Sequence, residues 1–274
     1  MSASGPIGIF DSGIGGLTVT AAIKQALPME RLFYFGDTQH VPYGPRTLEE
    51  VRTFSFAITE ALLAQGCKMI VIACNTASAA ALRPLREAYP DIPFVGMEPA
   101  VKPAVEQTRS GVVGVMATVA TFQSELYNTI VERFAKGVTV LRQPCPGLVR
   151  QIESGAFDTP ETEAMLQGWL SPMMEAHIDA LVLGCTHYPI VRPLIERIVG
   201  PEVRVIDPAP AIARQVERVL EYDGLRCAAR TEGVDRYFTS GDPEAFHRMM
   251  ERLGLDGQEV EQATWEEANT LTLP

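Results

Sequence analysis

No apolar run in this sequence reaches the roughly 18 residues that a membrane-spanning helix needs, so no helical span and no membrane partner are expected. No CxxC spacing occurs, which argues against a zinc ribbon. Basic charge is scarce: 23 Lys and Arg stand against 34 Asp and Glu, a net charge of −11. The acids are dispersed, apart from a Glu266-Glu267 pair. A basic stripe able to grip phosphates is missing, so no nucleic-acid partner is expected. The opening Met-Ser-Ala-Ser-Gly-Pro has neither a basic stretch nor a long apolar core. That predicts no signal peptide and a cytoplasmic location. Five cysteines, an odd number without such a signal, argue against a disulfide framework.

What remains is an ordinary globular chain. Its 274 residues, 46% hydrophobic and 21% charged, suit one large domain or two small ones. Short runs rich in Val, Ile and Phe predict strands at 7–10, 32–35, 69–73, 94–97, 112–116, 138–141, 181–184, 203–206 and 237–239. Several are apolar throughout, as strands covered by helices on both faces read. Helix starts lie between them. Thr47-Leu48-Glu49-Glu50 reads as a capping box, and Thr159-Pro160 and Asp242-Pro243 place a cap before a proline. The alternation predicts a doubly wound α/β architecture.

The chain also resembles itself. Gly8-Ile9-Phe10-Asp11-Ser12 matches Gly114-Val115-Met116-Ala117-Thr118 at an offset of 106. Ile70-Val71-Ile72-Ala73-Cys74 matches Leu181-Val182-Leu183-Gly184-Cys185 at 111, and the segments ending Glu98-Pro99 and Asp207-Pro208 match near 109. Three matches in one order predict two similar α/β units. The expected boundaries are 1–98 plus 208–274 for the first and 99–207 for the second, with the tail packing back onto the first unit.

Cys74 and Cys185 are the strongest chemical feature. Each follows an apolar strand and precedes a helical pattern. That places each thiol at the carboxyl edge of a sheet, where doubly wound folds bind ligands. A helix N-terminus there would favour thiolate. Two equivalent thiols suit inversion of a stereocentre, in which one base removes an α-proton and an acid on the other face returns one. A disulfide is disfavoured in a reducing compartment, and a metal would want more ligands than His187 could add. Asp11-Ser12-Gly13-Ile14-Gly15-Gly16 follows the first strand; its glycines allow close backbone approach. Asp37 with Val41-Pro42-Tyr43-Gly44 forms another strand-end loop, where Tyr43 and the Gly44 N–H are candidate donors to a carboxylate. His187 is a candidate proton partner of Cys185. Glu153, from sequence alone, reads as a solvated helix residue. Cys67, Cys145 and Cys227 read as structural.

These motifs together resemble the glutamate racemases of the cofactor-independent aspartate/glutamate racemase superfamily. The resembling text is 9–19, then Gly36-Asp37-Thr38 with Val41-Pro42-Tyr43-Gly44, Ala73-Cys74-Asn75-Thr76-Ala77-Ser78, Ala117-Thr118, Gly184-Cys185-Thr186-His187-Tyr188-Pro189 and Thr239-Ser240-Gly241-Asp242-Pro243. The resemblance implies two pseudosymmetric doubly wound α/β domains with the active site between them. It implies interconversion of L- and D-glutamate, supplying D-glutamate for peptidoglycan, without pyridoxal phosphate or metal. Cys74 would act on the D-isomer's proton and Cys185 on the L-isomer's. Asp11 would assist Cys74, and Glu153 and His187 would assist Cys185. Ser12, Tyr43, Gly44, Asn75, Thr76, Thr118, Thr121 and Thr186 would hold the substrate. A homodimer is implied as well. The sequence departs from the family pattern at Ala120, often glycine, and at Arg150-Gln151, often proline-leucine.

Alternatives stay open at this stage. Aspartate racemases share the pattern, although His187 resembles the glutamate branch. A thiol hydrolase using Cys185 and His187, or an amino-acid-binding module without catalysis, would use the same residues.

Overall fold

The structure is a computed structural model that describes residues 2–228, 233–255, 257–266 and 269–274. Glu267, half of the acid pair noted above, lies outside them. The chain divides into two compact units, Met1–Met97 with Ala209–Pro274, and Glu98–Pro208.

The first unit opens with β1 (Ile7–Asp11), α1 (Leu17–Ala26), β2 (Leu32–Gly36), α2 (Leu48–Ala64), β3 (Met69–Ile72), α3 (Asn75–Ala88) and β4 (Phe94–Gly96). The second unit contains α4 (Val101–Gln107), β5 (Val112–Ala117), α5 (Val119–Gln123), α6 (Glu125–Phe134) and β6 (Thr139–Pro144). It continues through α7 (Leu148–Glu153), α8 (Pro160–Glu175), β7 (Ala180–Gly184), a 3-10 turn at Tyr188–Val191, α9 (Arg192–Val199) and β8 (Arg204–Ile206). The chain then returns to the first unit with α10 (Ala209–Tyr222), β9 (Arg236–Thr239), α11 (Pro243–Arg252), β10 (Val260–Gln262), β11 (Thr264–Glu266) and β12 (Thr270–Thr272).

Each unit holds a parallel sheet. The first has the order β10-β9-β2-β1-β3-β4 and the second β6-β5-β7-β8. Four adjacent strands of the first sheet, β2-β1-β3-β4, have the same winding as the second sheet's β6-β5-β7-β8, so β1 corresponds to β5 and β3 to β7. The residues of β1, β2, β3 and β7 are buried along their whole length, which is why they read as continuous apolar runs. In the first unit Phe10, Phe35, Ile70 and Ile72 meet Val51, Phe54 and Ile58 of α2 and Leu85 of α3. In the second, Val113, Val115 and Val182 meet Val101 of α4 and Tyr127 and Ile130 of α6.

The caps form as their residue types dictate. Thr47 Oγ1 accepts from the Glu50 N–H at 3.2 Å, and Glu50 Oε2 accepts from the Thr47 N–H at 2.9 Å. Thr159 accepts from Thr162 N–H and Asp242 from Glu244 N–H, each with proline next in sequence.

Three features differ from the sequence expectation. β6 runs on to Pro144 instead of stopping at Leu141, because it is a half-exposed edge strand on which a proline is tolerated. β10, β11 and β12 were not anticipated; each has three residues and little continuous apolar character. The segment after Cys185 enters a 3-10 turn before α9, so this cysteine does not cap an α-helix.

Candidate active site

In a sheet wound 2-1-3-4, the chain leaves β1 for β2 on one side and reaches β3 on the other. The crevice at the carboxyl ends of β1 and β3 is the switch point where ligands bind. Asp11 ends β1, and Cys74 lies two residues beyond the end of β3. Asp11 is fully buried, and its Oδ2 accepts from the Gly16 N–H at 2.9 Å. Ser12 Oγ lies 3.9 Å from the Cys74 sulfur. Cys74 is the N-cap of α3, with the Ala77 N–H aimed at its sulfur at 3.5 Å. That donor, together with the positive end of a 14-residue helix, favours thiolate.

Asn75, the first residue of α3, is buried, and among the described residues neither its side-chain Oδ1 nor its Nδ2 has a hydrogen-bond partner. An unsatisfied buried polar group costs about 1–3 kcal/mol. An amide with a vacant donor and a vacant acceptor beside a strand-end thiol is suited to a ligand carrying both kinds of group. Thr76 is buried next to it.

The Tyr43 hydroxyl donates to Asp37 Oδ2 at 2.6 Å. Burial first, then the Asp37 charge, holds the Tyr43 pKa well above its usual range, so it stays a donor. Its proton is donated to the buried Asp37 carboxylate. The buried carboxylate captures the nearest hydroxyl, and Gly44 follows in the same half-exposed loop.

The second unit repeats the arrangement with different chemistry. Thr118 follows β5 and caps α5; its Oγ1 accepts from the Thr121 N–H at 3.2 Å and lies 2.9 Å from Thr121 Oγ1. Cys185 and Thr186 follow β7, and both are buried. The Cys185 sulfur is 3.8 Å from His187 Nδ1, and His187 Nε2 is 2.6 Å from Glu153 Oε1 at the end of α7. Burial pulls the His187 pKa down, but its hydrogen bonds to Cys185 and Glu153 and the Glu153 charge outweigh that. The imidazole is held well above its ordinary range. Glu153, read from sequence as solvated, is instead the partner that orients and charges His187. A carboxylate, an imidazole and a thiol in series form a proton-transfer chain.

Burial pushes the Cys67 thiol up to about 12 and also raises Cys145, so neither is a nucleophile near neutral pH. Among the described residues no group of three or more His, Cys, Asp or Glu side chains is placed to hold a metal ion. Among them, too, no helix is long and apolar enough to cross a membrane.

Sequence reasoning missed His40, Ser240 and Trp265, which all bond to Asp37. Ser240 carried a signal, since it directly follows a strand. Trp265 carried a weaker one, a large ring between Thr264 and Glu266 in an alternating segment.

A family model described as Asp/Glu/Hydantoin racemase matches residues 7–216. The chain is 49% identical over 259 residues to a glutamate racemase of Roseiflexus sp. (strain RS-1), covering 94% of this chain and 95% of that one. A crystal structure of a glutamate racemase isoform from Bacillus anthracis matches with a TM-score of 0.88 at 34% identity, covering 97% and 98% of the two chains. A second, from Francisella tularensis subsp. tularensis SCHU S4 in complex with D-glutamate, matches with a TM-score of 0.82 at 32% identity, covering 95% and 97%.

Proposed function

This chain belongs to the Asp/Glu/hydantoin racemase family, and from that premise we propose that it is an isomerase interconverting L- and D-glutamate by proton transfer between two thiols and the α-carbon. The observation that carries the reading is the equivalence of Cys74 and Cys185. Cys74 lies two residues past the end of β3 and Cys185 directly after β7, at corresponding strand ends of the four-strand winding that the two sheets share. Relatives named glutamate racemase, and a related structure holding D-glutamate, supply the substrate.

The chemistry requires both thiols to reach one α-carbon from opposite faces. In one direction the Cys74 thiolate takes the α-proton of D-glutamate and becomes a thiol. The electron pair stays on the α-carbon and is delocalised into the carboxylate. Cys185, a thiol at that moment, delivers its proton to the other face and becomes a thiolate. L-glutamate runs the same steps in reverse, so no net proton is consumed.

The helpers differ as their chemistry demands. Asp11 and Ser12 attend Cys74. Charged His187, held by Glu153, attends Cys185. Asn75 offers the substrate one donor and one acceptor, which match a carboxylate and an ammonium. Thr76, Thr118, Thr121, Thr186 and the Tyr43–Gly44 loop complete the cradle. Fixed donors around a developing carbanion supply the electrostatic stabilisation that the step needs, and it needs no electron sink beyond the substrate. The product role is D-glutamate supply for peptidoglycan in the cytoplasm, by an enzyme acting as a homodimer.

Single substitutions test the reading. Cys74→Ser and Cys185→Ser are each expected to lower racemisation by about 10²–10⁴-fold, the usual contribution of one acid–base group, with circular dichroism unchanged. Full activity in either variant would contradict the proposal. Aspartate, assayed beside glutamate, tests the substrate assignment.

A further inference from the structure

We propose that Trp265, on the β11–β12 hairpin, is a positioning residue for the Tyr43–Gly44 loop, acting through the buried carboxylate of Asp37. The inference rests on the racemase reading, in which that loop holds substrate.

Asp37 directly follows β2 and is fully buried. A carboxylate taken out of water is costly unless its oxygens are hydrogen-bonded. Here four side chains from three segments surround it. Tyr43 Oη donates to Oδ2 at 2.6 Å, and His40 Nδ1 lies 3.0 Å from the same oxygen. Ser240 Oγ donates to Oδ1 at 2.8 Å from the residue after β9. Trp265 Nε1 donates to Oδ1, also at 2.8 Å, across 228 residues of sequence. The indole N–H can only donate, so its aim at this oxygen fixes the polarity of the contact.

The ring has a second hold on the loop. His40 lies flat on Phe54 of α2, with centroids 4.2 Å apart and planes 14° apart, and meets the edge of Trp265 at 5.0 Å. The loop from Asp37 to Tyr43 is thus gripped through its carboxylate and through its imidazole. Tyr43 and Cys74 belong to one buried cluster, so a displacement of the loop is felt at the Cys74 half-site. The hairpin itself is anchored separately by Leu271 and Leu273, which join the core beside α2. The N–H of Trp265 is therefore not what attaches the hairpin, and Trp265→Phe removes that donor while keeping a ring.

The test compares wild type, Trp265→Phe, Asp37→Asn and the double variant, assayed in both directions well below the lowest melting temperature. Loss of one charge-assisted hydrogen bond predicts that Trp265→Phe raises KM roughly five- to tenfold, with kcat changed less than about twofold. The double variant is expected to be no worse than Asp37→Asn, because Trp265 acts through that carboxylate. Wild-type KM in Trp265→Phe, or KM effects that multiply in the double variant, would overturn the proposal. Tryptic cleavage after Arg46 reads the order of the loop without substrate. Trp265→Phe is expected to be cut several times faster than wild type, and an equal rate overturns the proposal. A wild-type protein that leaves glutamate unchanged would instead refute the racemase reading, and the cleavage rates would still decide the role of Trp265.

Discussion

Gly16 has ordinary helical angles, with φ at −65°, yet no side chain fits there. A Cβ would lie 2.6 Å from the Asp11 Cβ, 2.8 Å from the Tyr34 hydroxyl and 3.1 Å from the Ala73 Cβ. The glycine serves close approach, and its N–H binds the Asp11 carboxylate. Gly16→Ala is expected to displace Asp11, destabilise the fold by about 1–3 kcal/mol and lower kcat/KM more than about tenfold per folded molecule. Unfolding curves and steady-state kinetics check both. His187 gives the pH dependence. Its folded pKa is raised, so the stability from its contact with Glu153 is fully present below about 6.5, its ordinary value, and is lost as pH rises through the folded value. Glu153→Gln removes the facing charge from a largely buried pair and is expected to cost about 2 kcal/mol near pH 6. The cost should shrink only as pH rises through the raised folded value, as chemical unfolding over a pH series upward from about 6 would measure. The closeness at Gly16 was not readable from one sequence, and a role for Glu153 came only from the family resemblance. The first was legible only as a glycine-rich turn. The second depends on a contact across 34 residues that no local pattern encodes.

At the scale of elements, legibility followed burial. β1, β2, β3 and β7 are covered on both faces, so their sequences are apolar without alternation and their positions could be read directly. β6 has one exposed edge, and Arg142, Gln143 and Pro144 hid its second half. The β11–β12 hairpin shows one inward side chain per strand, Trp265 and Leu271, too few for a periodic signal. Helix starts were legible because capping is local chemistry. Thr47→Ala removes the side-chain half of the α2 capping box, leaves the residue-47 N–H to Glu50, and is expected to cost about 1 kcal/mol in denaturant unfolding while leaving activity per folded molecule unchanged. The same locality shows why the Cys185 reading failed in one respect. A strand followed by Cys-Thr-His-Tyr-Pro gives the strand end correctly. The 3-10 turn that follows deprives this thiol of the helix terminus that Cys74 has. Where the Cys74 sulfur faces the Ala77 N–H of α3, the Cys185 sulfur faces the His187 ring.

Across the whole molecule, the internal repeat carries the functional argument. Offsets of 106 to 111 residues between matched segments correspond to the shared strand order β2-β1-β3-β4 and β6-β5-β7-β8. The repeat equates Cys74 with Cys185 and Ser12 with Thr118. It also exposes where the halves diverge: Asp11 has Ala117 as its counterpart, and Thr76 has His187. One half keeps its acid on the strand, and the other places it on α7 behind an imidazole. Such divergence is expected when two bases act on mirror-related substrates that share one set of side-chain contacts. The strand-end thiols were legible because they need only local sequence. The donors around Asp37 were not, because three segments distant in sequence meet there.

The most direct test is proton NMR of chelator-treated, cofactor-free protein incubated in D₂O with L-glutamate alone, followed at early times. Two thiols acting on opposite faces predict that the D-glutamate formed carries deuterium at the α-carbon while the remaining L-glutamate keeps its proton. Starting from D-glutamate should give the mirror result. Persistence of the α-proton signal without any D-glutamate, or equal deuteration of substrate and product from the outset, would contradict the two-thiol account.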